Sequence, residues 1–221
     1  MRFTVRTSVA VLLAGAALTG CAGEAPQKQS RPEPKPDAVL EASATSPDDT
    51  RLTWRTRGGD VAWRVLEFAT ERSGPYTSLG FLRPGRTSFR HTDLMPGTTF
   101  YYRLRPVHGP ASRPVHVDLD RREADKESGS VSSSAPANLR ANLMRGNGIG
   151  FRWTDRASDE DGYLIEVRRD GKKHFSVVAV FGPGVESAKV ITLPDERRAE
   201  FRARAFRYGS SSNVVHRTTG N

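Results

Sequence analysis

One cysteine, Cys21, is the residue whose type and position most directly predict a covalent modification. It follows an N-terminal segment that contains Arg2 and Arg6 and then ten apolar residues at positions 9–18. A membrane-spanning helix needs roughly 20 such residues, so the segment has the length and charge of a secretory signal peptide. An exported chain with one cysteine has no partner for an internal disulfide, and its fold must rest on hydrophobic cores.

The four residues that end in Cys21 resemble the lipobox of bacterial lipoproteins. Leu18-Thr19-Gly20-Cys21 matches the pattern Leu-[Ala/Ser/Thr]-[Gly/Ala]-Cys at every position. The resemblance implies a lipoprotein signal peptide over residues 1–21, a diacylglyceryl group on the thiol of Cys21, palmitate-type acylation and cleavage before Cys21. Two acyl chains anchor a protein stably where one does not. The alternative is an ordinary signal peptide with an incidental cysteine.

The densest acidic group consists of Asp155, Asp159, Glu160 and Asp161. Calcium needs six to eight oxygen ligands on a loop shaped for it, and the alternating acids of an EF-hand are missing here. We therefore expect these side chains to form turn bonds to the backbone. The five histidines show no ligand spacing, so we expect no metal site and no cofactor.

Catalytic motifs are also missing from the sequence. Neither a Gly-x-Ser-x-Gly elbow nor a phosphate-binding loop occurs, and Gly146-Asn147-Gly148 is better interpreted as a hairpin turn. A catalytic triad assembled from distant residues is the one arrangement that a single sequence leaves open. We expect no catalytic residues and no enzyme activity.

The layout of the chain indicates two small β-domains joined by polar segments. Residues 22–37 (AGEAPQKQSRPEPKPD) form a proline-rich tether that would reach roughly 40 Å if extended. Residues 120–134 (DRREADKESGSVSSS) read as an interdomain linker, which leaves domains at 38–119 and 135–218. Short β-type runs punctuated by Gly, Pro, Asp and Ser predict sandwiches. The predicted strands of the first domain are 51–54, 62–68, 77–81, 88–91, 99–107 and 115–119, and the strand at 115–119 is expected to close this domain. Those of the second domain are 149–153, 163–167, 175–181, 190–193 and 200–206.

Two motifs resemble bacterial fibronectin type III domains. WTD followed by SDEDGYLIE over residues 153–166 resembles W-x-D…S-x-D-E-x-G-Y-x-I-E, and LMPGTTFYYRLR over residues 94–105 resembles L-x-P-G-T-x-Y-x-Y-R-V-R. The resemblance implies an all-β protein with two tandem immunoglobulin-like (fibronectin type III) β-sandwiches. It aligns Trp63-Arg64-Val65 with Tyr163-Leu164-Ile165 and puts all three tryptophans in the cores.

The family's tyrosine corner needs a hydroxyl that bonds back to the backbone. Phe100 takes that place in the first domain and Ala199 in the second, by this alignment. Each domain would lose a hydrogen bond worth roughly 1 kcal/mol unless another tyrosine substitutes.

A basic set in the second domain is the remaining candidate binding site. Arg202 and Arg204 alternate along one predicted strand, while Arg168, Lys172 and Lys173 surround the preceding hairpin. In the fold that the resemblance implies, these strands share one sheet, so the side chains could form a stripe for a polyanion such as a wall polymer or acidic glycan. The alternative is a solvated sheet face.

We therefore expect a non-catalytic cell-surface binding or spacer protein, a monomer, anchored in the cell membrane through the lipid on Cys21 and facing the extracytoplasmic side. Its expected partner is an extracellular or envelope protein or a glycan, and nucleic acid is not expected outside the cytoplasm. Two alternatives stay open. One is a polyanion binder that uses the basic face of the second domain, and the other is an accessory component of a secreted glycan-degrading system.

Overall fold

β-Strands make up nearly all of the regular structure in residues 36–127 and 129–220, which are the residues that the computed structural model describes. The one exception among them is a short 3-10 turn, Pro194–Glu196. The all-β fold class is confirmed. The predicted signal peptide, Cys21 and most of the tether lie outside the described residues. No helix in the described part is long and apolar enough to cross a membrane.

The first sandwich packs a three-stranded sheet against a four-stranded sheet. Side chains alternate along its strands as the period of two requires: in β6, Phe100, Tyr102 and Leu104 are buried while Arg103 and Arg105 are half-buried on the other face. The sheets have the orders β1-β2-β5 and β4-β3-β6-β15. These strands are β1 (Ala38–Ser46), β2 (Asp49–Thr56), β3 (Trp63–Ala69), β4 (Thr77–Leu82), β5 (Ser88–His91), β6 (Thr99–His108) and β15 (Val215–Thr218).

The second sandwich repeats this plan with the orders β9-β10-β13 and β12-β11-β14-β7, and a short strand β8 extends the second sheet. All antiparallel pairs keep regular register apart from single bulges. These strands are β7 (Val115–Asp118), β8 (Glu123–Ala124), β9 (Ala137–Leu143), β10 (Gly148–Thr154), β11 (Gly162–Arg169), β12 (Ser176–Phe181), β13 (Ser187–Ile191) and β14 (Arg198–Tyr208).

The two sandwiches exchange their last strands. β7 follows β6 in the chain but pairs with β14 of the second sandwich, with Phe201 opposite Val115. β15 follows β14 but pairs with β6 of the first sandwich, with Val215 opposite Tyr102. The sequence interpretation of residues 115–119 as the strand that closes the first sandwich is therefore wrong. β6 and β14 also pair at their ends, which joins both four-stranded sheets into one.

Two serines hold the exchanged strands with matching bonds. The backbone N–H of Ser112 donates to the carbonyl of Ala203 at 2.7 Å, and its hydroxyl accepts from the N–H of Ala203 at 3.2 Å. Ser212 does the same with Leu104, at 2.8 Å and 2.9 Å. Each serine bonds to the strand of the other sandwich that is equivalent to the strand of its own. The exchange therefore preserves the hydrogen bonds that a serine in a closed sandwich would make to the neighbouring backbone.

A glycine at the end of β6 directs the chain across to the second sandwich. Gly109 has φ +125°, a region that residues with a side chain rarely adopt, and a Cβ there would lie 2.2 Å from the carbonyl oxygen of Ala205. Only glycine lets the chain pass this close to β14. The prolines at 110 and 114 disfavour a regular ladder in the same connection.

Three apolar clusters pack the described part of the chain, one inside each sandwich and one between them. Leu52 and Trp54 belong to the first core, and Phe151 and Trp153 to the second. The third cluster packs the outer faces of the two joined sheets together, with Trp63, Val65, Val107, Leu164 and Phe206 at its centre. The described residues consequently form one compact unit.

Trp63 occupies this interface, which corrects the expectation that it lies in the first core. Leu66 of β3 lies opposite Leu104, and Ile165 of β11 lies opposite Ala203. Leu104 and Ala203 make the same bonds to a serine, so Leu66 and Ile165 occupy equivalent positions. Arg64, and not Trp63, is thus the counterpart of Tyr163. A register slip of one residue turns every side chain of a strand to the other face.

The segment predicted as a linker, residues 120–134, is packed against the second sandwich along part of its length. Its strand β8 pairs with β7, and Lys126 forms an isolated bridge with Arg140. Glu127 is buried, and its backbone N–H donates to the carbonyl of Leu139 at 2.9 Å. The boundaries of independently folding domains remain a prediction.

Candidate functional site

A buried carboxylate with two arginine partners lies where the two sandwiches meet. Glu166 on β11 is fully buried and accepts a hydrogen bond of 2.6 Å from the indole Nε1 of Trp63 in the other sandwich. Arg202 and Arg204 on β14 both form ion pairs with the same carboxylate. Burial alone would raise the pKa of Glu166, but the hydrogen bond from Arg204 and the charges of both arginines outweigh it and hold the pKa below its usual value.

A second ion pair and an aromatic ring extend this network toward the surface. Arg168 pairs with Glu200 across the β11–β14 ladder. The guanidinium carbon of Arg202 lies 3.9 Å from the centre of the Phe175 ring, and that of Arg168 lies 4.9 Å from it. Two cations therefore stack on one ring, which fixes the start of the β12 hairpin against the sheet.

The five residues predicted to bind a polyanion do not form one free stripe. Arg202 and Arg204 converge, but on Glu166, and Arg204 is 8% exposed. Arg168 is neutralised by Glu200. Only Lys172 and Lys173, on the hairpin after β11, are exposed and make no ion pair with a described carboxylate. A polyanion site on these five residues stays a prediction.

An open cleft of about 810 Å³ lies between the sandwiches, with Trp63 at its floor. The turn between β4 and β5 forms one wall and the start of β12 forms the other. No Asp or Glu occurs among the described residues that line it. We call it the basic cleft, since its basic and aromatic lining comprises Arg83 and Arg86 on the first wall and Lys173, His174, Phe175 and Arg202 on the second.

A buried arginine anchors the first wall. Arg64, with 2% of its side chain exposed, donates from Nη1 to the carbonyl of Pro84 at 2.9 Å. The same guanidinium pairs with Asp37 at 3.1 Å. The turn is closed by the N–H of Arg86, which donates to the carbonyl of Arg83 at 3.0 Å. The positions of both exposed arginines are thus set from inside the first sandwich.

The acidic loop of the second sandwich uses its carboxylates in local bonds. Asp155 accepts from the N–H of Ala157 at 2.8 Å and from the hydroxyl of Tyr163, whose pKa is raised by burial and by this bond. Asp161 accepts from the N–H of Tyr208 at 2.7 Å. Only the bond between Asp155 and the N–H of Ala157 is a turn interaction of the kind expected from the sequence, whereas Asp161 bonds to a residue on β14.

The other two acids bond to separate elements. Asp159 pairs with Arg207 at the end of β14, while Glu160 accepts a bond of 3.0 Å from the N–H of Gly184. Within residues 36–127 and 129–220, no group of three or more His, Cys, Asp or Glu side chains is arranged to hold a metal ion.

The hydroxyl of Tyr102 is buried in the first core and does not belong to a tyrosine corner. The hydroxyl of Tyr102 lies 3.2 Å from Nδ1 of His91 on β5, and burial raises the pKa of Tyr102 to about 12. Burial also lowers the pKa of His91. Tyr102 therefore joins β5 and β6 through a side-chain contact, two residues after Phe100, which holds the position that the family resemblance assigns to the tyrosine corner.

Sequence reasoning missed Glu166, Arg64, Arg83 and Arg86 as members of a site. One signal was present, since Glu166 and Arg64 are single charges inside otherwise apolar runs, and such residues are almost never fully buried unless paired. No signal distinguished Arg83 and Arg86 from other exposed arginines, because the opposite wall comes from a segment about 90 residues away.

No protein-family model matches the chain. A two-domain fibronectin type III segment from chicken tenascin resembles it at 18% identity and a TM-score of 0.30, covering 80% of this chain and 95% of that one. The FN1–FN3 domains of chicken CNTN1 resemble it at 12% identity and a TM-score of 0.30, covering 83% and 98%. The fold assignment rests on the strand order: the described residues form two β-sandwiches of the fibronectin type III kind, with their last strands exchanged.

Proposed function

We propose that this protein is a non-catalytic binding or spacer protein of the cell surface, held on the membrane by a lipid on Cys21. The observation that carries the proposal is the interlocked pair of sandwiches, which share one sheet and a buried ion network. A rigid unit of this kind presents its surface residues at fixed positions. Modules of the fibronectin type III kind are typically binding or spacer units and not enzymes.

The lipobox around Cys21 supports the anchor, and two acyl chains would supply stable membrane attachment. Replacement of Cys21 by Ser removes the only thiol that can carry the lipid. We expect the Cys21→Ser protein to leave the membrane fraction and to lose incorporation of radiolabelled palmitate.

The matched control is Thr19→Ser, which keeps the lipobox pattern and should leave the protein in the membrane fraction. A Cys21→Ser protein that stayed with the membranes would disprove the lipid anchor. The role of the folded part as a binding unit would then need another means of attachment.

Polyanion binding is the second candidate function, and the exposed charge around the basic cleft favours it. Arg83, Arg86 and Lys173 make no ion pair with any described carboxylate. No described feature favours a role in a glycan-degrading system.

A further inference from the structure

We propose that the basic cleft is a binding site for a linear polymer that carries phosphate or carboxylate groups, and that both sandwiches contribute charge to it. The inference rests on the proposed role as a binding protein and is independent of the lipid on Cys21. It differs from a basic face of the second sandwich alone, because one of its walls belongs to the first sandwich.

Uncompensated positive charge is the first argument. Arg83, Arg86 and Lys173 are exposed on facing walls, and no described lining residue is acidic. A cleft lined by one sign of charge focuses the field and raises the local concentration of oppositely charged ligands. Arg202 shares the single carboxylate of Glu166 with Arg204, so these three groups together keep one net positive charge beside the cleft.

Preorganisation of the walls is the second argument. Arg64 holds the first wall through the carbonyl of Pro84, and the stack of Arg202 on Phe175 holds the second. The exposed cations therefore stand on backbone that does not need to be ordered when a ligand arrives. Rigid supports of this kind reduce the entropic cost of binding.

Shape is the third argument and indicates the class of ligand. The cleft is open and about 810 Å³ in volume, so a chain can lie along it with its ends in solvent. Guanidinium groups bind phosphate and carboxylate in the same two-bond geometry, and an ammonium group binds either as a point charge. The shared chemistry is a row of oxyanions, which a phosphodiester or polyphosphate chain and a uronic acid polysaccharide both supply.

The test compares two double variants that remove the same charge, one cation from each sandwich. Arg83→Ala with Lys173→Ala takes one cation from each wall of the cleft. Arg72→Ala with Lys172→Ala is the matched control, because both residues are exposed and neither lines the cleft. The full chain in detergent is titrated against fluorescent polyphosphate and fluorescent polygalacturonate at two salt concentrations, with anisotropy as the readout.

We expect at least one of the two polymers to bind in a salt-dependent way, and the polymer that binds identifies the source of the oxyanions. The cleft variant should lose about tenfold or more in affinity, and the control less than about threefold. Equal losses in both variants would overturn the cleft, since net charge alone would then explain binding. Binding of neither polymer would also overturn it. None of these outcomes depends on Cys21, so failure here leaves the membrane fractionation result unaffected.

Discussion

At the scale of single residues, one buried carboxylate ties the two sandwiches together. Glu166 on the second sandwich satisfies both oxygens with Arg202, Arg204 and the indole of Trp63 on the first. Removing the buried carboxylate would leave both arginines without their counter-charge, which costs more than the original interaction contributed.

Replacement of Glu166 by Gln should therefore be severely destabilising. We expect a loss of about 3–5 kcal/mol in the free energy of unfolding, measured by urea denaturation, because two arginines lose their counter-charge. The control is Glu200→Gln, which breaks the half-exposed pair with Arg168 and should cost no more than about 1 kcal/mol. Equal losses of unfolding free energy in the two variants would contradict the conclusion that Glu166 ties the two sandwiches together.

The loss of stability caused by Glu166→Gln depends on pH, and the direction of this dependence follows from the pKa of Glu166. Because the pKa of Glu166 is lower in the folded protein than in the unfolded chain, its contribution is complete above the unfolded value of about 4.3 and disappears as the pH falls through the folded value. The stability gap between wild type and Glu166→Gln should narrow in acid below about pH 4.

At the scale of elements, the exchange of β7 and β15 is the main feature. In the exchanged arrangement His216 lies opposite Tyr101 and His116 lies opposite Glu200. If each sandwich were closed by its own last strand, β7 would pair with β6 and β15 would pair with β14. His116 would then lie opposite Tyr101, and His216 would lie opposite Glu200. The two arrangements therefore predict different neighbours for the same four residues.

Paired cysteine substitutions distinguish the two arrangements in the full chain with Cys21→Ser. Opposed residues of an antiparallel pair have Cα atoms within about 5.5 Å, which suits a disulfide. Tyr101→Cys with His216→Cys should form an intramolecular disulfide on mild oxidation, seen as a mobility shift on non-reducing gels. His116→Cys with Glu200→Cys should do the same.

The crossed pairs are the controls, namely Tyr101→Cys with His116→Cys and Glu200→Cys with His216→Cys. They should remain reduced. Rapid disulfide formation in the crossed pairs would show that each sandwich is closed by its own strand, and dimers linked through the matched pairs would show exchange between chains.

At the scale of the whole molecule, the joined sheet and the exchanged strands make the sandwiches mutually dependent. Unfolding of the second sandwich would remove β15 from the first, and unfolding of the first would remove β7 from the second. The interface cluster around Trp63 and Leu164 would be exposed in either case.

The described part should consequently unfold in one cooperative transition. We expect the calorimetric and van't Hoff enthalpies to agree. Trp54 and Trp153 report on separate cores, so a Trp54→Phe variant and a Trp153→Phe variant should show coincident fluorescence and calorimetric transitions. Two resolved transitions would contradict the interlocked unit.

Much of the fold could be predicted from the sequence, because strand signals are local. The predicted run 88–91 coincides with β5, and 99–107 and 163–167 fall inside β6 and β11. β1 was missed because AVLEASATS contains few β-branched or aromatic residues. At the candidate site, the sequence identified Lys173 and Arg202 but neither of the arginines on the opposite wall.

The sequence by itself determined the fold class and the tryptophan-centred cores around Trp54 and Trp153, since alternation and short motifs are properties of neighbouring residues. The lipobox at Cys21 stays a prediction from the sequence. Only the tertiary structure decided which strand closes which sandwich and which charges face the cleft. The physical reason is that Ser112 and Ser212 can make the same bonds to Leu104 or to Ala203, so the local pattern cannot choose between them. That choice depends on the close passage of Gly109 over β14 and on the packing of the two sheets against each other.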